Sequence, residues 1–273
     1  MIARVVAMYF SPTNTTKKVT EEIAGVLAAN LNCRQCVVDF TLPGVREYVQ
    51  TFNKGDLVIF GTPVYAGRVP NVLLKYIHTI RGGGALAVPV VVFGNRNYDD
   101  ALAELQALLG EDGFLPVAAG AFIGEHSFSR ILGAGRPDEE DMAVVRKFAG
   151  DIYKKLMKDG APESFQPLEV GGEYPSRGYY QPRDRQGNPV DIRKVKPKTS
   201  EACDGCKICA RVCPMGSISF DDIREFTGIC IKCGSCIKKC PVSAKYFDAE
   251  SYLYHQHELE EEYARRAEPS LFL

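Results

Sequence analysis

Eight of the ten cysteines lie between positions 203 and 240. They form two segments of identical spacing, CDGCKICARVCP at 203–214 and CIKCGSCIKKCP at 230–241. Each reads C-x2-C-x2-C-x3-C-P, in which three thiolates on a tight loop can surround one iron–sulfur cube while the fourth points away. The spacing therefore predicts two 4Fe-4S clusters.

The fourth cysteine of each segment is expected to serve the other cluster, as is general for this spacing. Two structural zinc sites are the alternative, but such sites pair two C-x2-C turns across a longer gap and have no use for a third consecutive cysteine. The predicted ligand sets are Cys203, Cys206, Cys209 and Cys240 for one cluster, and Cys230, Cys233, Cys236 and Cys213 for the other.

The remaining pair, Cys33 and Cys36, has the spacing of a redox dithiol. Such a dithiol needs the exposed N-terminus of a helix, which lowers the thiol pKa. Here the pair leads into a predicted strand, so the sequence favours inert, at least partly buried thiols.

Composition excludes several classes of partner. With 33 basic and 34 acidic side chains the net charge is −1, so no global field attracts nucleic acid or an anionic membrane. No stretch approaches the roughly 18 apolar residues of a spanning helix, and the N-terminal run has no small-residue cleavage site. We therefore expect a cytoplasmic protein with no membrane insertion and no nucleic acid partner.

Predicted strands and helices alternate along the first part of the chain. Five strands and five helices in alternation predict an α/β fold, a doubly wound five-stranded parallel sheet of order 2-1-3-4-5. In this order the ligand crevice lies at the carboxyl ends of the first and third strands. The predicted strands are 2–10, 34–40, 56–61, 87–93 and 114–123, and the predicted helices are 16–29, 43–53, 70–80, 98–110 and 138–158.

The alternation stops after the fifth helix. Residues 160–200 are rich in proline, glycine and charge and read as a linker whose aromatic residues drape it over a surface. We expect four regions: a first domain at 1–159, this linker, a small α+β iron–sulfur domain at 201–248 and a C-terminal extension at 249–273, in which HELEEEYARRA forms a short charged helix.

Three loops at the predicted crevice carry suitable chemistry. SPTNTTKKV, after the first strand, offers hydroxyls and helix N-terminal amides to a phosphate, although a plain helix cap would look alike and no GK[ST] motif follows. The loops after the third and fourth strands each carry a tyrosine that could stack on a flat heterocycle. Their sequences are GTPVYAGRVPN and GNRNYDDA.

These loops make residues 1–158 similar to a flavodoxin, an FMN-binding fold, and the whole chain resembles the flavodoxin–ferredoxin fusions labelled EFR1-family ferrodoxins. The usual flavodoxin loop reads TGNT where this chain has TNTT, so Asn14 stands in for glycine, and Asn tolerates a left-handed backbone. The resemblance assigns the FMN phosphate to Ser11, Thr13, Asn14, Thr15 and Thr16, and the isoalloxazine ring to Pro63, Val64, Tyr65, Ala66, Gly67, Gly94, Asn95, Arg96, Asn97 and Tyr98.

The loop after the fifth predicted strand, GEHSFSR at 124–130, is expected to close over the flavin. His126 is a candidate cofactor contact that either hydrogen-bonds the loop or moves a proton, and the first role is favoured. The other histidines, His78, His255 and His257, are expected to face solvent.

A flavin and two clusters in one chain predict an electron-transfer protein of anaerobic metabolism, which exchanges single electrons with a redox partner protein. It would act alone, as a homo-oligomer or as a module of a larger redox complex. The alternative is a flavoenzyme that reduces a small acceptor such as a quinone, oxygen or an organic electrophile.

Overall fold

The computed structural model describes residues 2–159, 168–176 and 178–273. Residues 160–167 of the predicted linker and Arg177 lie outside the described residues. The main sheet contains β1 (Arg4–Tyr9), β2 (Arg34–Asp39), β3 (Asp56–Pro63), β4 (Leu86–Phe93), β5 (Leu115–Pro116) and β6 (Ala119–Ile123).

The order of the parallel strands is β2-β1-β3-β4-β6, which confirms the predicted doubly wound sheet. β1 lies between β2 and β3, so that Val6 pairs with Cys36 on one side and Val58 on the other. β3 and β4 are almost continuously buried because helices cover both faces of the sheet.

Four helices cover the sheet: α1 (Thr15–Asn30), α2 (Asn71–Ile77), α3 (Ala101–Glu111) and α4 (Glu139–Asp159). Side chains alternate along β3, so Leu57 and Ile59 join the core under α1 and α4, while Val58 and Phe60 join the core under α2 and α3. The two cores hold the sheet rigid beneath the loops at its carboxyl edge.

Two predicted elements are corrected. In place of the helix at 43–53 there is one 3₁₀ turn, Pro43–Glu47, after which Tyr48 is extended. The chain must extend there because Phe52 N–H bonds to the carbonyl of Arg81 (2.8 Å). The predicted strand at 114–123 is divided into β5 and β6, since Pro116 has no N–H to donate to a sheet ladder.

The cysteine-containing segment, residues 198–246, consists of short elements around a small core. They are β7 (Lys198–Thr199), α5 (Ile208–Arg211), α6 (Ser235–Lys238) and β8 (Lys245–Tyr246), with β7 antiparallel to β8. The core contains Cys209, Ala210, Ile218 and Ile223. So small an apolar core provides little stability by itself.

The end of the chain returns to the main sheet. α7 (Glu250–Glu262) is followed by β9 (Ser270–Phe272), which runs antiparallel to β6 with Leu271 opposite Gly120. The sequence analysis predicts no such strand, because three residues show no periodicity. Every described helix is too short or too polar to cross a lipid bilayer.

Candidate functional site

Four cysteines from the two motifs line one cavity: Cys213, Cys230, Cys233 and Cys236. These form one of the two predicted ligand sets, and Ile218, Phe226 and Phe247 wall the cavity with apolar surface. Burial and the neighbouring Cys230 raise the pKa of the Cys233 thiol to about 12. Thiols so placed ionise when a metal binds, because coordination deprotonates them, so the donor set fits an iron–sulfur cluster.

The first motif brings Cys203 and Cys206 close to the buried Cys209, whose pKa is raised by burial and by these two neighbours. Their predicted fourth partner, Cys240, is connected to them through the backbone. Its Sγ accepts the N–H of Ala244 (3.2 Å), and the carbonyl of Ala244 accepts the N–H of Ser200 (2.9 Å), three residues before Cys203. Cys240 as fourth ligand stays a prediction.

Within the described residues, no three Cys, His, Asp or Glu side chains converge at the spacing that a single metal ion requires. Cys33 and Cys36 lie before and within β2 rather than at the N-terminus of a helix, and both are partly buried. Burial raises the pKa of Cys33, as expected for an inert thiol.

The first loop, residues 11–16, ends β1 and begins α1. Asn14 adopts the left-handed conformation (φ 70°), as the substitution for glycine requires. The Oγ of Ser11 accepts the N–H of Lys17 (2.9 Å). No described group accepts the backbone N–H groups of Thr13, Thr15 and Thr16. Three free donors at the positive end of a 16-residue helix fit a phosphate.

The third loop, residues 64–70, makes a tight turn in which Tyr65 and Arg68 exchange backbone hydrogen bonds (2.9 and 3.1 Å). Ala66 and Gly67 both have positive φ, as a type I′ turn demands. Pro63 ends β3, and Val64 N–H bonds to the carbonyl of Val92 (2.9 Å). Burial raises the pKa of Tyr65 well above its usual value, and nearby Cys233 and Cys230 raise it further. The third loop therefore lies beside the second cysteine motif.

The fourth loop, residues 94–100, is packed against the fifth. A Cβ on Gly94 would come within 2.4 Å of the His126 ring, so only glycine fits there. Asn97 Oδ1 accepts the N–H of Asp99 (3.0 Å), and the Tyr98 ring contacts Phe93, with centroids 5.6 Å apart.

Asn95 differs from its predicted role. Its amide donates to the carbonyls of Tyr263 (2.7 Å) and Arg265 (2.6 Å), while its oxygen accepts from Arg136 and Ala267. The Asn95 side chain thus holds the C-terminal extension, and Arg265 also donates to the Asn95 carbonyl (3.2 Å). The backbone N–H of Asn95 is what it can offer to a cofactor.

Linker residues cover the edge of these loops. The guanidinium of Arg96 lies 4.3 Å from the Tyr180 ring centroid, and Tyr180 N–H bonds to the carbonyl of Ala66 (2.9 Å). A cavity of about 720 Å³ lies between linker and loops, lined by Arg96, Asn97 and Tyr98 together with Tyr179 and Tyr180. The expectation that the linker follows a surface is confirmed for these described residues.

In the fifth loop, residues 124–138, His126 is partly buried. Burial, together with the nearby Lys238, His255 and Arg96, lowers its pKa to about 3. Its Nδ1 faces the N–H of Phe128 (3.2 Å). A neutral ring that accepts a hydrogen bond from its own loop agrees with the favoured structural role.

His255 does not face solvent and the expectation is corrected. It is only 3% exposed, because α7 packs onto the fifth loop and the linker. Its ring stacks on Tyr180, with centroids 5.7 Å apart, and its Nδ1 lies 3.0 Å from Glu258. His257 is exposed and His78 is half-exposed beside Asp112, as predicted.

The second cysteine motif docks on the crevice. The hydroxyl of Ser235, which is 1% exposed, donates to the carbonyl of Pro12 in the first loop (2.9 Å). Gly234 lies so close to the fifth loop that a Cβ would be 2.5 Å from the carbonyl oxygen of Ser127. Helix α6 therefore sits between the first and fifth loops.

Lys238 fastens the same helix to the fifth loop. Its ammonium pairs with the Glu125 carboxylate and donates to the carbonyls of His126 (2.7 Å) and Ser129 (2.9 Å). Sequence reasoning missed this contact, although one signal was present: the second motif has Gly-Ser and Lys-Lys where the first has Lys-Ile and Arg-Val.

Residues 197–219 match the family model described as 4Fe-4S binding domain. Among solved structures, a flavodoxin from the domain Archaea is 13% identical over 56% of this chain and 99% of its own, with a TM-score of 0.40. Flavodoxin 2 from Bacillus cereus is 17% identical over 56% and 99%, with a TM-score of 0.40. Rubredoxin oxygen:oxidoreductase from Desulfovibrio gigas is 18% identical over 56% and 36%, with a TM-score of 0.40.

The strand order β2-β1-β3-β4-β6 is the flavodoxin-like one, and the matched segment contains the first cysteine motif. The chain is therefore a fusion of a flavodoxin-like sheet with a 4Fe-4S ferredoxin-type segment. The family match indicates that the second part carries iron–sulfur redox chemistry.

Proposed function

We propose that the protein relays single electrons between two 4Fe-4S clusters and an FMN, and exchanges them with a redox partner protein. The observation that carries this proposal is the docking of α6, which contains Cys236, on the first and fifth loops through Ser235 and Lys238. When bound, FMN can carry one or two electrons and each cluster one, so their proximity makes exchange within the chain feasible.

Each part of the site has a task in this proposal. The thiolates of Cys213, Cys230, Cys233 and Cys236 hold one cluster, and those of Cys203, Cys206, Cys209 and Cys240 hold the other. The free N–H groups of the first loop bind the FMN phosphate. Tyr65 and the backbone of the third and fourth loops bind the ring, and docked α6 excludes water from the crevice.

The first motif is the proposed contact for the partner protein. Asp204, Gly205 and Lys207 are exposed around Cys206, whereas the second motif is covered by the loops. Close approach of a partner is therefore easier at the first motif. We place the protein in the cytoplasm of an anaerobic cell, where cysteines stay reduced.

A flavoenzyme that reduces a small acceptor is the second candidate, and the cavity of about 720 Å³ beside the fourth loop favours it. Arg96 and Tyr98 in its wall could bind an anionic or aromatic acceptor. Saturable turnover with one small acceptor and no protein acceptor would place this function first.

Anaerobic reconstitution tests the main proposal. We expect about eight irons per chain and one flavin that is released as FMN. Cys206→Ser and Cys233→Ser should each remove about four irons, because each removes one ligand of one cluster. A colourless protein that retains zinc, or a brown protein with about four irons and no affinity for FMN, would contradict it.

A further inference from the structure

One lysine of the second cysteine motif reaches the first loop. Lys239 directly precedes Cys240, and its Nζ donates to Asn14 Oδ1 over 3.3 Å. The residue is half-buried. The motif itself does not require a lysine here, since the matching position of the first motif is Val212.

The N-terminus of α1 is a positive environment. Asn14 caps this helix end, where the helix dipole is positive and where no described group accepts the N–H groups of Thr13, Thr15 and Thr16. Lys17 lies nearby as a second cation, and the Asp39 carboxylate offsets part of this positive charge. Two ammonium groups and a positive helix end converge on one loop, which an anion would stabilise.

Docking holds Lys239 in place. Ser235 is bonded to the carbonyl of Pro12, and Lys238 is bonded to the carbonyls of His126 and Ser129. Because these contacts fix both ends of α6, the stem of Lys239 starts from a defined point above the first loop. The side chain loses little further freedom when it binds an anion.

We propose that Lys239 binds the phosphate monoester of the flavin nucleotide, so that the iron–sulfur segment makes the first loop select FMN over riboflavin. This inference rests on the proposed FMN site. It has a thermodynamic consequence, because a phosphate that contacts both parts of the chain favours the docked arrangement, and docking favours FMN in return.

The test compares two ligands that differ only in the phosphate. Dissociation constants for FMN and riboflavin are measured by flavin fluorescence on the anaerobically reconstituted full chain. Lys239→Gln should weaken FMN binding roughly 10-fold, since a charge-assisted contact to phosphate is lost, and change riboflavin binding less than about twofold. Lys239→Arg should retain FMN binding close to that of the unmodified chain.

Lys75→Gln is the matched control, because Lys75 is exposed on α2 and its loss changes net charge equally. Iron content is measured in parallel, so that loss of a cluster is recognised. Equal weakening of both flavins in Lys239→Gln, or no change in FMN binding, would overturn the role of Lys239 while the FMN site stands. An unmodified chain that binds neither flavin would overturn both proposals.

Discussion

The two cysteine motifs share one spacing and one backbone, yet they occupy different surroundings. Positive φ angles recur at matching positions, Gly205 with Lys232 and Lys207 with Gly234. The first motif is exposed around Cys206, whereas the second is pressed against the first and fifth loops. Cluster chemistry accounts for what the motifs have in common, and docking accounts for how they differ.

The differing residues follow from this contrast. Lys207 tolerates its left-handed backbone (φ 58°) because it is exposed and its side chain is free to point outward. Gly234 at the matching position has no such freedom, because Ser127 lies where its Cβ would be. The same spacing can thus contain a surface residue in one copy and an obligatory glycine in the other.

The largest loss of stability is expected for a substitution of Gly234. Gly205 and Gly234 have the same φ of 74°, but only Gly234 has backbone of another segment within contact of a built Cβ. Gly234→Ala should lower the free energy of unfolding by roughly 3 kcal/mol, through backbone strain and collision, and Gly205→Ala by about 1 kcal/mol through strain alone.

Anaerobic denaturant unfolding of both reconstituted variants measures the difference. Equal losses would show that the second motif is not pressed against the fifth loop.

A smaller loss of stability is expected for a substitution of Lys238, which fastens α6 to the fifth loop. Lys238→Gln removes the ion pair with Glu125 and the hydrogen bonds to the carbonyls of His126 and Ser129. The His126 carbonyl keeps the N–H of Ser129, whereas the Ser129 carbonyl has no other described donor, so the free energy of unfolding should fall by about 2 kcal/mol. Its control in the first motif is Arg211→Gln, at the matching and exposed position, where the expected loss is below about 0.5 kcal/mol.

Denaturant midpoints of the two variants decide this prediction. If Arg211→Gln proves as costly as Lys238→Gln, the contacts to the fifth loop do not stabilise the docked state.

The smallest effect concerns pH. The pKa of His126 is about 3 in the folded protein and 6.5 ordinarily. The unfolded chain therefore binds more protons between these values, so stability falls as pH drops through 6.5. Between pH 7.5 and 5.5, His126→Gln should reduce the pH-dependent loss of stability by about 1 kcal/mol.

His257→Gln is the control, since His257 is exposed, and it should leave the slope unchanged. Unfolding free energies at several pH values provide the slopes. A slope in His126→Gln equal to that of the unmodified chain would mean that His126 titrates normally under the second motif.

The local sequence pattern by itself predicts the order of the parallel strands and the grouping of the cysteines. Apolar periodicity predicts the alternating elements and hence the strand order, and the spacing of the cysteines predicts that Cys213 joins the second motif's three. The substitution at Asn14 predicts its left-handed backbone. Each depends on neighbours in the chain or on a general rule of sheet topology.

Tertiary structure alone decided how the two parts meet. Strand β9 and the contacts of Lys238 and Lys239 join residues more than 100 positions apart, and the burial of His255 depends on the linker. A lysine on a four-residue helix looks the same in sequence whether it faces solvent or three acceptors in another segment. Only the packing of that helix between two loops distinguishes these cases, because burial and partner geometry are properties of the assembled fold.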